Sequence, residues 1–315
     1  MSKVVFPSRR NAEGLWAITA YFNPIRYQRK RANYRIFRQH LGLPLIAVEL
    51  AYGADFELAD ADAEIVIRRR GGDVLWQKER LLNLALQALP DECNKVAWVD
   101  CDVVFESADW AERTCALLDS AKLVQPFTHL ERMPPDWSPG QAPPPQESDV
   151  LRSVPFLIAS GMSATACLGT PASQIKCSPG YVWAANKQLL QQHKLYDVCV
   201  VGGADTAMAR AAYGCFEDAL RLQHLARGHY LAWASPFHEA VQSNVAFVEG
   251  KLFHLWHGEP INRRYRERND ALSRFKFDPS ADIALGQGDV WTWNSDKTAM
   301  HEFVRDYFAG RKEDG

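Results

Sequence analysis

Short apolar runs alternate with helical patterns along the first hundred residues, and this alternation constrains the fold more than any other feature. Four runs have the length and composition of buried strands, at 15–22, 44–51, 64–68 and 96–99. A basic amphipathic helix is predicted at about 26–41, and a longer one at 74–89 is ended by Pro90. Strands alternating with helices predict an α/β fold, in which a mixed, mostly parallel sheet is flanked by helices.

Composition narrows the class of protein. The 315 residues are 47% hydrophobic, enough to bury one large core, or one core plus a smaller lobe. A net charge of −2 gives no global attraction to nucleic acid or to an anionic membrane. Seven cysteines without a C-x-x-C pair argue against a disulfide framework and a zinc knuckle. Because the sequence shows neither a signal peptide nor an 18-residue apolar span, we expect a cytoplasmic protein with no transmembrane segment.

Two carboxylates, Asp100 and Asp102, follow the apolar run 96–99 directly. Like charges at a buried strand end are costly unless a cation or hydrogen-bond donors compensate them. A divalent metal that carries a phosphorylated substrate would do so, and ligands of parallel sheets gather at the carboxyl ends of strands. The alternative is that the strand simply ends there and both acids are solvated.

A second candidate is the segment Gly202-Gly203-Ala204-Asp205, which precedes a helix of small residues. The two glycines would let the backbone pass close to a ligand, and Asp205 would act as a general base on an acceptor hydroxyl. The alternative is structural, since Asp is a favoured residue at the start of a helix and glycines shape turns.

A third candidate is the strand-like segment 251–258. Alternation places His254 and Trp256 on one face of the strand, with His257 just beyond its end. Imidazole is a common ligand for manganese beside carboxylates, although a histidine near an apolar strand is often structural. The basic segment 263–268 follows, and its Arg263 could contact phosphate oxygens.

In this order the motifs resemble those of the GT-A glycosyltransferases, and most closely the β-1,4-galactosyltransferase catalytic domain and related family-2-like enzymes. The resemblance rests on residues 78–108, 178–212 and 248–268, about a third of the chain. It implies the Rossmann-like GT-A fold in a single large domain. Asp205 is flanked here by Ala204 and Thr206, whereas the family has further acids, so we expect a different acceptor.

The resemblance also implies roles for individual residues. Asp102 would ligate the metal, with Asp100 beside it to contact the sugar or the metal. Asp205 would be the catalytic base of an inverting reaction. His254 would be the metal-binding histidine, with His257 in reserve.

Other positions match the family's binding sites for the two substrates. The residues expected at the nucleotide are Ala20, Tyr21, Phe22, Arg80 and Asn83. The residues expected at the acceptor are Gly202, Gly203 and Trp183. Trp183 could offer an aromatic face to a sugar ring or belong to the core.

We therefore expect a metal-dependent glycosyltransferase that uses Mn²⁺ or Mg²⁺ and a nucleotide-sugar donor, expected to be a UDP-sugar. The hydroxyl acceptor could be a glycan, a lipid-linked sugar, a protein side chain or a modified nucleic-acid base. One alternative is a sugar nucleotidyltransferase, which would need a glycine-rich phosphate loop that 15–24 lacks. Another is a non-catalytic sugar or nucleotide binder.

The expected organisation is a catalytic domain at 1–275 followed by a C-terminal extension at 276–315. The nucleotide-sugar half would cover about 15–125 and the acceptor half about 151–275. Between them, a proline-rich segment at about 126–150 would be a mobile loop over the site or a passive linker.

Overall fold

The computed structural model describes residues 12–143, 150–170, 175–265 and 267–315. In chain order, its strands are β1 Leu15–Phe22, β2 Leu45–Leu50, β3 Ile65–Arg69, β4 Lys95–Val99, β5 Val103–Phe105, β6 Leu123–Gln125, β7 His129–Arg132, β8 Leu151–Ser153, β9 Cys177–Ser178, β10 Val182–Asn186, β11 Val245–Phe247, β12 Lys251–His254, β13 Ile283–Leu285 and β14 Trp291–Trp293.

Helices connect and cover these strands. They are α1 Gln28–Leu41, α2 Lys78–Gln87, α3 Trp110–Leu117, α4 Val154–Ala159, α5 Ala164–Gly169, α6 Lys187–His193, α7 Ala204–Ala212, α8 Phe216–Gln223, α9 Arg227–Val241, α10 Glu267–Ser273, α11 Pro279–Asp282 and α12 Thr298–Ala309. Two short 3₁₀ helices lie at Asp60–Asp62 and Pro260–Arg263. Within the described ranges, no helix combines the length and the apolar character needed to cross a bilayer.

The large sheet has the strand order β11-β6-β10-β4-β1-β2-β3. Strands β3, β2, β1 and β4 are parallel, whereas β10 runs antiparallel to both of its neighbours, β4 and β6. The predicted α/β architecture, a mixed and mostly parallel sheet flanked by helices, is confirmed. Because β1 and β4 are parallel neighbours, their carboxyl ends meet at one edge of the sheet.

Alternate residues of β1 face two different hydrophobic layers. Ile18 packs into the layer that contains Leu81 of α2, and Ala17 packs into the layer that contains Tyr34 and Phe37 of α1. This two-sided burial explains why β1 is a nearly continuous apolar run. Each fully buried large apolar side chain contributes about 1.5–3 kcal/mol, so these layers hold the site-bearing edge in place.

A smaller sheet adjoins the first, with the order β5-β12-β7-β8-β9. The chain passes from β4 of the large sheet to β5 of the small one through the turn Asp100-Cys101-Asp102. In the small sheet, β5 pairs antiparallel with β12, and Val103 is the register partner of His254. This pairing brings the start of β5 beside the histidine-bearing end of β12.

Two elements begin or end differently from the prediction. The helix predicted from 74 begins at Lys78, because the preceding residues form other hydrogen bonds: Trp76 N–H donates to the Val200 carbonyl, and the Gln77 side chain donates to the Trp291 carbonyl. Strand β12 ends at His254, so Trp256 lies beyond the strand rather than on its face.

The segment at about 126–150 contributes a strand, β7, to the small sheet. Its Trp137 is buried and lies 5.3 Å from the Phe253 ring, between ring centroids. Positions 144–149, which carry part of the loop prediction, lie outside the described residues. The segment 276–315 folds back on the rest of the chain, where Phe308 packs against Trp76 and Phe22.

Candidate functional site

The turn that carries Asp100 and Asp102 is held by the backbone on both sides. The Asp100 N–H donates to the Tyr181 carbonyl at 2.8 Å, which ties the turn to β10. The Asp102 carbonyl accepts from the Leu255 N–H, also at 2.8 Å, which ties it to the residue after β12. The two carboxylates are thereby fixed relative to both sheets.

Asp102 meets both histidines of the third motif. Its Oδ2 lies 3.1 Å from Nε2 of His257 and 3.9 Å from Nε2 of His254. The two Nε2 atoms are 2.9 Å apart. Three potential ligand atoms therefore converge on one point, and both imidazoles are buried.

The surroundings keep both imidazoles neutral. Burial lowers the pKa of His257 to about 3, and the nearby Arg263 guanidinium adds to this effect. Burial, followed by His257 itself, holds the pKa of His254 well below its usual value. Burial and the neighbouring Asp100 raise the pKa of Asp102 to about 7. A neutral imidazole is the form that can ligate a metal.

A divalent cation fits this set of donors. Neighbouring ligands of one ion at about 2.1 Å lie about 3 Å apart, close to two of the three separations seen here. Oδ1 of Asp102 is buried and finds no hydrogen-bond partner in the part of the chain that the structure describes. One carboxylate with two imidazoles suits manganese or another transition metal.

Lys78, the first residue of α2, links the other two acids. Its ammonium lies 2.6 Å from Oδ1 of Asp100 and 2.8 Å from Oδ2 of Asp205. Burial alone would lower the pKa of Lys78, but the two carboxylates outweigh it and hold the pKa well above the usual value. The neighbouring Glu79 is buried, and desolvation raises its pKa to about 8.

Asp205 lies in the first turn of α7, after two glycines that have positive φ angles. Gly202 has φ 84°, and a Cβ there would lie 3.0 Å from the Trp76 ring. Gly203 has φ 98°, and its Cβ would lie 2.9 Å from Nε2 of Gln223. Both positions require glycine, which fixes where α7 begins and where Asp205 projects.

The predicted nucleotide residues of β1 lie at its buried carboxyl end. Ala20 is at the core boundary, and the Tyr21 hydroxyl donates to Glu57 at 2.6 Å. Phe22 packs edge-on against Trp76, with ring centroids 5.5 Å apart.

Three other predicted residues form their hydrogen bonds away from Asp100, Asp102 and Asp205. The Arg80 Nε donates to the Asp289 carbonyl at 2.6 Å, and Asn83 donates to the Leu195 carbonyl at 2.9 Å. Trp183 is completely buried in the core, and its indole N–H donates to the Pro179 carbonyl. It therefore presents no face to a ligand, in agreement with the core alternative for this residue.

Arg263 and the chain's last residues complete the surroundings of His257. The Arg263 Nη2 lies 2.7 Å from Nδ1 of His257 and donates to the His257 carbonyl at 2.8 Å. Glu313 places Oε1 3.5 Å from the same Nδ1, and Arg311 pairs with Glu313. The sequence did not predict that Lys78, Arg311 and Glu313 belong to the site. Only Lys78 has a feature that could have indicated it, since it is a lysine at the start of an amphipathic helix.

A cavity of about 210 Å³ opens beside the histidines. Its lining includes Arg132, Arg263, Trp256, Tyr265 and one acid, Glu259, together with His254 and His257. Arginines and aromatic rings beside a candidate metal site suit an anionic ligand that carries a flat or apolar group.

Several solved structures are distantly similar to this chain. No protein-family profile matches the chain, and no curated protein matches its sequence. Glucosyl-3-phosphoglycerate synthase from Mycobacterium tuberculosis, solved with Mn²⁺, UDP and phosphoglyceric acid, is 14% identical, covers 90% of this chain and 88% of its own, and has a TM-score of 0.42. S. aureus TarS 1–349 is 8% identical, and the alignment covers 94% of this chain and 71% of TarS 1–349, with a TM-score of 0.40. The 4-diphosphocytidyl-2C-methyl-D-erythritol synthase from Anaerococcus prevotii is 10% identical, with 76% and 88% covered and a TM-score of 0.33. These likenesses concern the fold alone, and they carry no inference about activity.

Proposed function

We propose that this chain is a metal-dependent glycosyltransferase that moves a sugar from a nucleotide-sugar, with UDP-sugars as the first donors to test, to a hydroxyl acceptor. The observation that carries the proposal is the convergence of Asp102, His254 and His257 at the edge of the sheet. Asp205 is linked to this cluster by Lys78, whose ammonium contacts both Asp100, in the same turn as Asp102, and the Asp205 carboxylate.

Asp102, His254 and His257 would hold the cation, Mn²⁺ or Mg²⁺. When bound, the cation supplies positive charge that stabilises a departing nucleoside diphosphate. Arg263, which is buried beside His257, adds a fixed positive charge on the same side.

Asp205 would act as the base of an inverting reaction. Lys78 contacts Oδ2 of Asp205, so the other carboxylate oxygen would accept the proton of the acceptor hydroxyl. The acceptor oxygen then forms a bond to the anomeric carbon as the bond from that carbon to the diphosphate breaks. Lys78 would hold the base in place and keep Asp205 and Asp100 from repelling each other.

The experiment is a panel of nucleotide-sugars tested for thermal stabilisation of the protein with and without Mn²⁺. The donor should raise the unfolding temperature only when the cation is present. Asp102→Asn should lose this metal-dependent effect, and Asp205→Asn should keep it but lose transfer. Asp119→Asn is the matched control, because Asp119 is a largely exposed acid in an ion pair with Lys95.

Each outcome has a defined meaning. Release of the nucleoside diphosphate that depends on the hydroxyl acceptor identifies sugar transfer, whereas release of pyrophosphate would identify nucleotidyl transfer instead. Donor binding without turnover on any hydroxyl acceptor would indicate a binding protein. Near-normal turnover by Asp205→Asn would remove Asp205 as the base.

A further inference from the structure

Two side chains with opposite hydrogen-bonding chemistry contact the same nitrogen of His257. The Arg263 Nη2 lies 2.7 Å from Nδ1, and the Glu313 Oε1 lies 3.5 Å from it. The other ring nitrogen, Nε2, faces Asp102 and His254. The ring therefore turns one nitrogen to the candidate cation site and the other to this pair of charged groups.

The two contacts favour different tautomers of the neutral ring. A guanidinium can only donate, so Arg263 requires a lone pair on Nδ1 and leaves the proton on Nε2. In that form Nε2 cannot ligate a cation. A carboxylate can only accept, so Glu313 favours a proton on Nδ1 and leaves the lone pair on Nε2. Only the second form is competent to bind metal.

Glu313 is held as a buried carboxylate. It is 3% exposed, and the Arg311 Nε donates to its Oε1 at 2.6 Å. Burial alone would raise the pKa of Glu313, but the Arg311 guanidinium outweighs it and holds the pKa well below the usual range. The group is therefore an anion and a hydrogen-bond acceptor.

The segment that carries Glu313 is docked firmly beside His257. A Cβ at Gly258 would come within 2.5 Å of the Lys312 carbonyl, which shows how closely the two backbones approach. Asp314 accepts from the N–H groups of Gln28 and Arg29 at the start of α1. These contacts fix Glu313 relative to the histidine.

We propose that Glu313 is a positioning residue for His257: its carboxylate accepts the Nδ1 proton and so presents the Nε2 lone pair to a divalent cation. This inference rests on the proposed metal site. In the absence of the cation, Arg263 holds the opposite tautomer. On cation binding, Nε2 loses a proton and Nδ1 gains one, so the imidazole stays neutral. Arg263 keeps its bond to the His257 carbonyl. A carboxylate behind a metal-bound histidine typically changes metal affinity by about 10–100-fold.

The test measures Mn²⁺ binding to the full chain by calorimetry. Glu313→Leu should weaken binding about 10–100-fold. Glu313→Gln should stay within a few-fold of the wild type, because the amide oxygen can still accept from Nδ1. Glu259→Leu is the control, since Glu259 lies two residues after His257 but accepts from the Trp256 indole rather than from a histidine.

A spectroscopic measurement separates positioning from a loss of folding. In protein labelled with ¹⁵N-histidine, the His257 signals should show the Nε2–H tautomer without metal and the Nδ1–H tautomer with Zn²⁺ as a diamagnetic probe. If Glu313→Leu does not fold, this wild-type comparison decides. An Nε2–H tautomer in both states would overturn the proposal.

The failures of the two proposals can be told apart. Equal Mn²⁺ affinity in the wild type and in folded Glu313→Leu would overturn the role of Glu313 and leave the metal site intact. A wild type that binds neither Mn²⁺ nor Zn²⁺ would overturn both. Metal binding that depends on Glu313, without transfer to any hydroxyl, would support the positioning role and count against the glycosyltransferase.

Discussion

Replacing Lys78 with methionine removes the one ammonium that lies between Asp100 and Asp205. Methionine keeps an unbranched side chain of similar length, so the change is mainly one of charge. At 2.6 and 2.8 Å, each ion pair is worth about 6 kcal/mol at an effective dielectric constant of about 20. Desolvation of the 9% exposed lysine offsets part of this. The expected net loss is about 3–5 kcal/mol, typical of a buried pair broken from one side.

The assay is urea unfolding at pH 7.5, with Lys95→Met as the control. Lys95 makes an ion pair of the same 2.6 Å length, but its partner Asp119 is 72% exposed. Water screens that pair, so its loss should cost below about 1 kcal/mol. The Lys78→Met deficit should shrink at pH 5, because burial raises the pKa of Asp100, and a proton on that carboxyl group then replaces the missing ammonium. Equal losses in the two variants, or a deficit that does not change with pH, would refute this reasoning.

Three further predictions concern neighbouring groups. Because the pKa of Asp102 is raised to about 7, a proton competes with the cation below that pH, and the Mn²⁺ dissociation constant from calorimetry should rise about tenfold per unit as the pH falls below 7. Glu79 has a folded-state pKa of about 8 against an ordinary 4.5, so it costs stability progressively as the pH rises between these values. Glu79→Gln should remove this slope, so in urea unfolding the variant should become more stable than the wild type as the pH rises. At about 1.36 kcal/mol per pKa unit, the difference in free energy of unfolding should not exceed about 5 kcal/mol. Gly203 and Gly161 both have φ near 98°, so replacing either with alanine should cost about 1–3 kcal/mol of backbone strain. Gly203→Ala should lose more stability than the matched Gly161→Ala, because only at Gly203 would a Cβ meet another side chain, Gln223. Equal losses of unfolding temperature in the two glycine variants would contradict the crowding at Gln223.

Local sequence patterns were sufficient to predict much of the large sheet. The apolar run 15–22 became β1 with the same bounds, and the run at 96–99 became β4 with one further residue at its start. Both strands are buried on two faces, so their composition alone identified them. The start of α2 was harder to predict from the sequence, because the hydrogen bonds that keep 74–77 out of the helix are made to Val200 and Trp291, which lie far along the chain.

The candidate site was predictable where its residues follow recognisable elements. Asp100, Asp102 and Asp205 each follow a strand end or a glycine pair, and the two histidines flank a strand end. The compensating charges were not predictable, since Lys78 is 127 positions from Asp205 and both its partners are set by tertiary packing. Glu313 lies in a segment for which the sequence suggested no role, and only folding brings it to His257.

The turn between β4 and β5 joins the two sheets, and each of its two carboxylates contacts side chains associated with a different sheet. Asp100 is tied through Lys78 to the helices on the large sheet, and Asp102 is tied to the histidines of the small sheet. A ligand that spans Asp102 and Asp205 would therefore bridge the small sheet and α7. Amide hydrogen exchange should then slow together in β12 and α7, because opening of either element would have to break contacts with the same ligand.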